Sequence, residues 1–271
     1  MKILVLGSSG QIGKPTIKYL KDNNHDIIEW DILKDPSNDL RIPNKELYKT
    51  INTSDFVYYL ASDVGGAKYL EKKQDSFEFI NNNMLIMSNT FKALKECNKP
   101  FIFTSSQMAD LKHSTYGQLK LLGEKITNDI GGLVVRLWNV YAEETDIEKS
   151  HVITDFIKMA KTYNKINMRT DGMESRQFLY AEDCAKCLLT LTKKYNQLDK
   201  TKPYHITSFK WTTIKDIALI ISKLTGCEII FNKNKDKTQM NAMNPPNKYI
   251  LNFWEPTISL EEGIKILIDS K

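Results

Sequence analysis

No run of about 18 apolar residues occurs in this 271-residue chain, so no membrane-spanning helix is expected. The opening run Met1–Leu6 is too short for a signal peptide and leads straight into a glycine turn, which predicts a cytoplasmic protein. Positive charge is not concentrated either. Lys and Arg total 38 against 33 Asp and Glu, a net charge of +5, and the lysines are scattered among Asn and Asp. Without a basic stripe, nucleic acid is not an expected partner. Cysteine is sparse: Cys97, Cys184, Cys187 and Cys227. Cys184 and Cys187 form a Cys-x-x-Cys, but it falls inside a predicted helix, Glu182 to Leu191, with no second pair. A zinc site needs more ligands, so no metal is predicted and the thiols read as reduced and buried. There is no internal repeat.

What is present is a folded globular composition, 41% hydrophobic and 10% aromatic, long enough for one large domain or two small ones. Lys2 to Leu6 is a short Ile/Leu/Val run suited to a strand buried on both faces. Gly7-Ser8-Ser9-Gly10-Gln11-Ile12-Gly13 follows, and Thr16 to Leu20 reads as helix. Between a strand and a helix, such a glycine triplet is a dinucleotide fingerprint. Gly7 permits a tight turn, Gly10 lets the backbone approach a pyrophosphate, and Gly13 lets helix pack on strand. The second strand, Asp26 to Trp30, ends at Asp31. A carboxylate there accepts hydrogen bonds from ribose hydroxyls and repels a 2′-phosphate, which predicts NAD over NADP. The same residue type also serves as a turn or cap residue.

The third strand, Asp55 to Leu60, is followed by the small residues Ala61-Ser62 and a flexible loop, Val64 to Ala67. Gln74 to Glu96 reads as one long helix. Phe101 to Phe103 is the fourth strand, ending in Thr104-Ser105-Ser106, and Leu133 to Leu137 is the fifth. Between these two lies the stretch Ser114 to Lys120. Tyr116 and Lys120 stand at i and i+4, on one face of a helix. A phenol titrates near ~10 and an adjacent ammonium favours its phenolate, which makes such a pair an acid/base usable near neutral pH. Alternating strands and helices predict an α/β fold with a doubly wound parallel sheet, whose ligands bind at the carboxyl ends of the strands. The glycine turn, Asp31, Ala61, Ser106 and Asn139 all fall at such ends.

Beyond Leu137 the reading is helix Val152 to Tyr163, strand Gln177 to Tyr180 and helix Glu182 to Lys193. Strand Tyr204 to Ile206, helix Thr213 to Leu224, strand Glu228 to Phe231 and helix Leu260 to Ile268 complete it. Lys233 to Lys248, with Pro245-Pro246, reads as a loop able to cover a site. The expected organisation is a Rossmann domain over residues 1–138, with a returning segment near 171–195. Residues 139–271 form a smaller, interleaved substrate-binding domain.

These landmarks together resemble the extended short-chain dehydrogenase/reductase family, in its sugar-nucleotide epimerase, dehydratase and ketoreductase branch. To those above are added Asp39-Leu40-Arg41, Tyr59-Leu60-Ala61-Ser62, Asn83, Arg136 to Tyr141, Arg176-Gln177-Phe178 with Asp183, and Leu260 to Gly263. The resemblance implies that Tyr116 is the acid/base on a sugar hydroxyl and that Lys120 holds the nicotinamide ribose and lowers the Tyr116 pKa. Ser106 bonds the reacting oxygen, with Ser105 as the alternative. It further implies dinucleotide contacts from Gly7, Gly10, Gln11, Ile12, Gly13, Asp31, Leu60 and Ala61. Asp39 and Leu40 would meet the adenine, and Asn83 would support the cofactor site. Asn139 and Arg176 would touch a nucleotide-diphosphate sugar, Arg176 through a phosphate.

Ser62 to Ala67, Asn83 to Asn89 and Ser150 to Ile153 resemble the GDP-fucose synthase and GDP-mannose 3,5-epimerase group. That group's catalytic Cys is here Met108, so double epimerisation is not implied. His151 is then a substrate contact, or equally a surface or capping histidine. Gln107-Met108 replaces the Asp-Glu of dehydratases. The connection from Ser106 to Tyr116 is short, so another segment is expected to complete the pocket. No second phosphate-binding Arg occurs between Lys233 and Lys248; Lys233, Lys235 and Lys237 are substitutes there. The implied activity is an NAD-dependent epimerase acting by transient oxidation, at C4 of the sugar. The alternatives are an NAD(P)H-dependent 4-keto sugar-nucleotide reductase and a non-catalytic dinucleotide-binding protein. A homodimer through the two helices flanking the fourth strand is the family expectation, with Ile80, Leu85, Phe91, Leu122 and Ile126 as candidate contacts.

Overall fold

The computed structural model describes residues 1–144, 146, 148–235 and 245–270. The chain begins β1 (Lys2–Leu6), α1 (Gly13–Asp22), β2 (Asp26–Trp30), α2 (Lys45–Asn52) and β3 (Phe56–Tyr59). It continues α3 (Ala67–Lys73), α4 (Phe77–Cys97), β4 (Phe101–Ser106), α5 (Thr115–Asp129) and β5 (Leu133–Leu137). Next come β6 (Asn139–Tyr141), α6 (Val152–Tyr163), β7 (Lys165–Asn167), β8 (Ser175–Tyr180) and α7 (Ala181–Lys194). The last elements are β9 (Tyr204–Ile206), β10 (Trp211–Thr213), α8 (Ile214–Thr225), β11 (Glu228–Ile230) and α9 (Leu260–Asp269).

Six strands form one parallel sheet in the order β2-β1-β3-β4-β5-β9. Alternation along β1 shows why helices cover both faces. Ile3 and Val5 join the core with Ile17 and Leu20 of α1 and Cys184 and Leu188 of α7. Leu4 and Leu6 join the opposite core with Leu47 and Ile51 of α2 and Phe91 and Leu94 of α4. Strand order reverses at β1, which opens a crevice between the carboxyl ends of β1 and β3.

Strands β6, β8 and β10 form a second small sheet, and β7 pairs with β11. Packed on them, α6, α8 and α9 contribute Phe156, Ile217, Ile221 and Ile264 to a third core. The elements that return to the main sheet are α7, packed beside α1, and β9, paired with β5, whereas β8 stays in the small sheet.

Three local readings are corrected. The expected loop at Val64 to Ala67 is loop only as far as Gly66, because Ala67 opens α3, a helix not read from the sequence. The single helix from Gln74 begins only at Phe77, because Ser76 is its cap and accepts from the Phe79 amide. Lys45–Asn52, not read as helix from the sequence, is α2, started by Asn44 accepting from Glu46 N. The loop expected over Lys233 to Lys248 lies partly outside the described residues, at 236–244.

Candidate active site

A cleft of about 1110 Å³ runs along the carboxyl ends of the sheet strands. That exceeds the ~300–1,000 Å³ of a typical small-ligand site. Its floor begins at the glycine turn. Gly7 has φ +85, and a Cβ there would lie 2.7 Å from the Ala61 nitrogen; one on Gly13 would lie 2.3 Å from the Gly7 carbonyl oxygen. Both glycines are therefore required, by left-handed backbone and by close approach. At Gly10 the nearest atom to an added Cβ, the Gly7 oxygen, is 3.4 Å away, so its backbone faces open cleft. Gln11 and Ile12 line the same stretch, and the Gln11 Nε2 is buried with no partner among the described residues.

Asp31 sits at the end of β2. Its Oδ2 accepts from Ser9 N at 2.8 Å and its Oδ1 from Leu33 N at 2.9 Å. Each oxygen keeps a lone pair, and the residue lines the cleft. Asp39 and Leu40 line it as well, but the Asp39 carboxylate is gripped by the Arg41 guanidinium, at 2.7 Å from Nη2. That contact holds Asp39 below the ordinary carboxylate range. Leu60 and Ala61 form the wall beyond β3. Asn83 stands back from the cleft. Its Oδ1 accepts from Ser62 Oγ and Asp63 N, both at 3.0 Å, and its Nδ2 donates to the Asp63 and Phe79 carbonyls. Its role is to fix the loop after β3.

At the end of β4, adjacent residues point to opposite sides. Ser105 Oγ donates to the buried Glu124 at 2.5 Å, behind the strand. The Ser106 hydroxyl lies beside the Tyr116 hydroxyl, near enough to draw its pKa down, and accepts from Met108 N at 3.1 Å. Ser106, not Ser105, is thus beside the tyrosine. Ser114 caps α5, accepting from Gly117 N at 3.1 Å, and this brings Tyr116 and Lys120 onto the cleft. Lys120 Nζ donates to the Thr104 carbonyl at 2.9 Å and lies 5.7 Å from the Tyr116 ring centroid.

The anticipated lowering of the Tyr116 pKa is not what this geometry gives. Burial pushes the phenol up, and the neighbouring Ser106 hydroxyl offsets only part of that. Burial also pushes Lys120 down to about 8, with Glu124 pulling the other way. Below pH ~8 Lys120 carries its charge. Between there and the unfolded value near ~10.4 the unfolded chain binds the extra proton, so the destabilising burial of charge is relieved as pH rises. Activity is expected to fall along an alkaline limb near pH 8. Lys120→Met should abolish that limb in a pH–rate profile; an unmoved limb would separate it from Lys120.

On the opposite wall, Asn139 opens β6, and its Nδ2 is buried with no partner among the described residues. Arg176, in β8, lines the cleft and donates from Nη1 to the Ser175 carbonyl at 2.8 Å. His151 precedes α6 in extended conformation, and its side chain makes no helix cap. Its Nδ1 lies 2.6 Å from Glu144 Oε1, and its backbone N donates to Glu144 Oε2 at 2.9 Å. Burial, the largest single influence, works to raise Glu144, but the contacts with His151 and Thr154 together outweigh it, and the carboxyl titrates below its ordinary value. Sequence reasoning missed Glu144 because no motif marks it.

It also missed a cluster around Asp63, which accepts from Tyr69 at 2.8 Å, Lys149 at 3.0 Å and Asn82 at 3.2 Å. Through Lys149 the loop after β3 is tied to the segment before α6. These two segments line the cleft together with Gln107 and Met108 of the short connection after Ser106, a single 3₁₀ turn at Gln107–Asp110.

A glycine cradle, an acid at the end of β2 and a Ser/Tyr/Lys cluster at one sheet edge define a dinucleotide-binding α/β protein with an acid/base centre. The chain belongs to the NAD dependent epimerase/dehydratase family, whose model matches residues 3–207. It is 26% identical to GDP-mannose 3,5-epimerase 1 of Oryza sativa subsp. indica over 311 residues, covering 98% of this chain and 80% of that protein. It is 28% identical over 305 residues to a putative UDP-glucose 4-epimerase of Methanocaldococcus jannaschii, covering 98% and 97%. A UDP-glucose 4-epimerase of Thermotoga maritima, solved with UDP-glucose, superposes with a TM-score of 0.82 at 19% identity, covering 99% of this chain and 98% of that one. Among the described residues no helix is long and apolar enough to cross a membrane, and no group of side chains fits a metal ion.

Proposed function

We propose that this protein is an NAD-dependent epimerase of nucleotide-diphosphate sugars that works by transient oxidation at a ring carbon, C4. The observation that carries it is the meeting of Ser106, Tyr116 and Lys120 in the same cleft as the glycine turn and Asp31. The residues fit a dinucleotide: Gly10 leaves the backbone open, the buried Gln11 Nε2 lacks a partner, and Asp31 offers acceptors for ribose hydroxyls. NAD, when bound, supplies a reversible redox partner for the sugar carbon. The rest belongs to the chain. Tyr116 takes the proton from the sugar hydroxyl and returns it, Ser106 holds the same oxygen, and the Lys120 charge favours the phenolate form. Arg176 holds a phosphate of the nucleotide, while Asn139 and His151 orient the sugar.

The reductase alternative uses the same residues once, on a 4-keto sugar nucleotide. Release and identification of nucleotide from the purified protein separates the two. NAD near one equivalent per chain supports the epimerase. A chain that binds NADH or NADPH reversibly supports the reductase, and no dinucleotide binding would end both readings. For the coenzyme, Asp31→Ala is expected to weaken NAD and narrow the preference over NADP, read by fluorescence titration. Unchanged affinities would remove Asp31 from the ribose site.

Free, mostly buried cysteines suit a cytoplasmic protein. A homodimer through α4 and α5 completes the reading. Leu85 and Leu122 are exposed there, beside Met84 and Leu121, whereas Phe91 belongs to the core and Ile126 packs against it. A solution mass of two chains, reduced to one by Leu122→Glu, checks this.

A further inference from the structure

The sequence offers no second arginine for the phosphates between Lys233 and Lys248, yet a diphosphate carries more charge than one guanidinium neutralises. The chain holds four arginines. Arg136 is buried against Glu124 and Asp110, and Arg41 grips Asp39. Arg176 and Arg169 line the cleft on the side of β8 and the turn after β7.

They flank a single turn that follows β7. The Thr170 hydroxyl closes it by donating to Glu174 Oε1 at 2.6 Å, and the Gly172 amide donates to the Thr170 oxygen at 3.2 Å. The backbone around Arg169 is anchored: Met168 N donates to the Ile230 carbonyl at 2.9 Å and Asp171 N to the Asn234 carbonyl at 2.7 Å. The Arg169 side chain, by contrast, is 67% exposed, with Nη2 3.1 Å from Glu71 Oε2, itself 59% exposed at the end of α3. Glu71 also lines the cleft, so the pair links α3 to the turn after β7 across the cleft wall. An ion pair this exposed is screened by solvent and weakly held. A phosphate oxyanion accepting two N–H bonds from the guanidinium fork is the stronger partner.

We propose that Arg169 is the second cation of a diphosphate subsite shared with Arg176, and that Glu71 is a built-in competitor holding it at the cleft wall until an anionic ligand takes it. The inference rests on the reading of the substrate as a nucleoside diphosphate derivative. It gives two exposed residues of one ion pair opposite effects, which a purely structural bridge would not.

The test is calorimetric titration of the full chain and two variants with GDP and UDP, and with guanosine and uridine as uncharged controls. Arg169→Ala should weaken the diphosphates about tenfold and leave the nucleosides unchanged. Glu71→Gln should tighten the diphosphates severalfold. If both variants weaken binding alike, or neither changes it, the inference is overturned while the substrate reading stands. If the unaltered protein binds neither diphosphate, the substrate reading falls and this inference with it. Thermal melts matching the parent confirm that the variants fold.

Discussion

Tyr116→Phe is expected to lower turnover by about 10²–10⁴-fold, the range that a positioned general acid/base supplies, while leaving the fold and dinucleotide binding in place. The ring packs with Leu70, Phe79, Met108 and Leu111, and phenylalanine keeps those contacts. Only the hydroxyl is lost, together with the influence of Ser106 on it, and Ser106 retains the Met108 amide as a partner. The reason for so large an effect is that His151 is placed across the cleft and paired with Glu144, not beside Ser106. Steady-state rates on a converted sugar nucleotide, with a thermal melt and an NAD titration beside them, check the expectation. Full activity in the variant would refute the acid/base assignment.

The second large effect is on stability. Glu124 is 6% exposed in the middle of α5, and its carboxylate accepts from Arg136 Nε at 2.7 Å, Arg136 Nη2 at 2.9 Å and Ser105 Oγ at 2.5 Å. Glu124→Ala leaves the buried guanidinium with Asp110 alone. Breaking one side of a buried pair costs about 3–5 kcal/mol, which in a chain of this size lowers Tm by roughly 6–20 °C. Replacing both partners, as Glu124→Gln with Arg136→Met, should recover much of that loss, because the buried guanidinium is removed along with its partner and only Lys120 loses the Glu124 charge. A double variant as unstable as Glu124→Ala would show that packing, not charge, sets the cost. Lys120 lies one turn from Glu124, so the single variant should also shift the alkaline limb of the pH profile to lower pH, since Glu124 opposes the effect of burial on Lys120.

What was legible in the sequence were features carried by a few neighbouring residues. The glycine turn needed only the chain geometry at Gly7 and Gly13. Asp31 could be placed because a short apolar strand ends there. Tyr116 and Lys120 share a helix face by spacing alone, and the Ile/Leu/Val runs of β1 and β5 could only be strands buried on both sides. Helix α2 was missed because Lys45–Asn52 buries only Leu47 and Ile51, too few apolar positions for its period to be seen.

The rest depended on residues far apart in the chain. Whether Ser105 or Ser106 faces the tyrosine turned on the register of β4 against β5 and α5. Glu144 beside His151, Lys149 on Asp63 and Arg169 on Glu71 each join segments whose side chains carry no local signature of the contact. The proton affinities of Tyr116 and Lys120 moved in directions that the Tyr-x-x-x-Lys spacing did not foretell. Spacing fixes which groups are neighbours along a helix. Desolvation is set by everything else that packs around them, and here it outweighed the pairing. By itself the sequence determined the alternation of the main sheet's strands with most of their helices and the turn that cradles a dinucleotide. Tertiary structure alone decided which carboxylate, serine and arginine meet in the cleft and how tightly each holds its proton, because burial and long-range pairing exist only once the chain has folded.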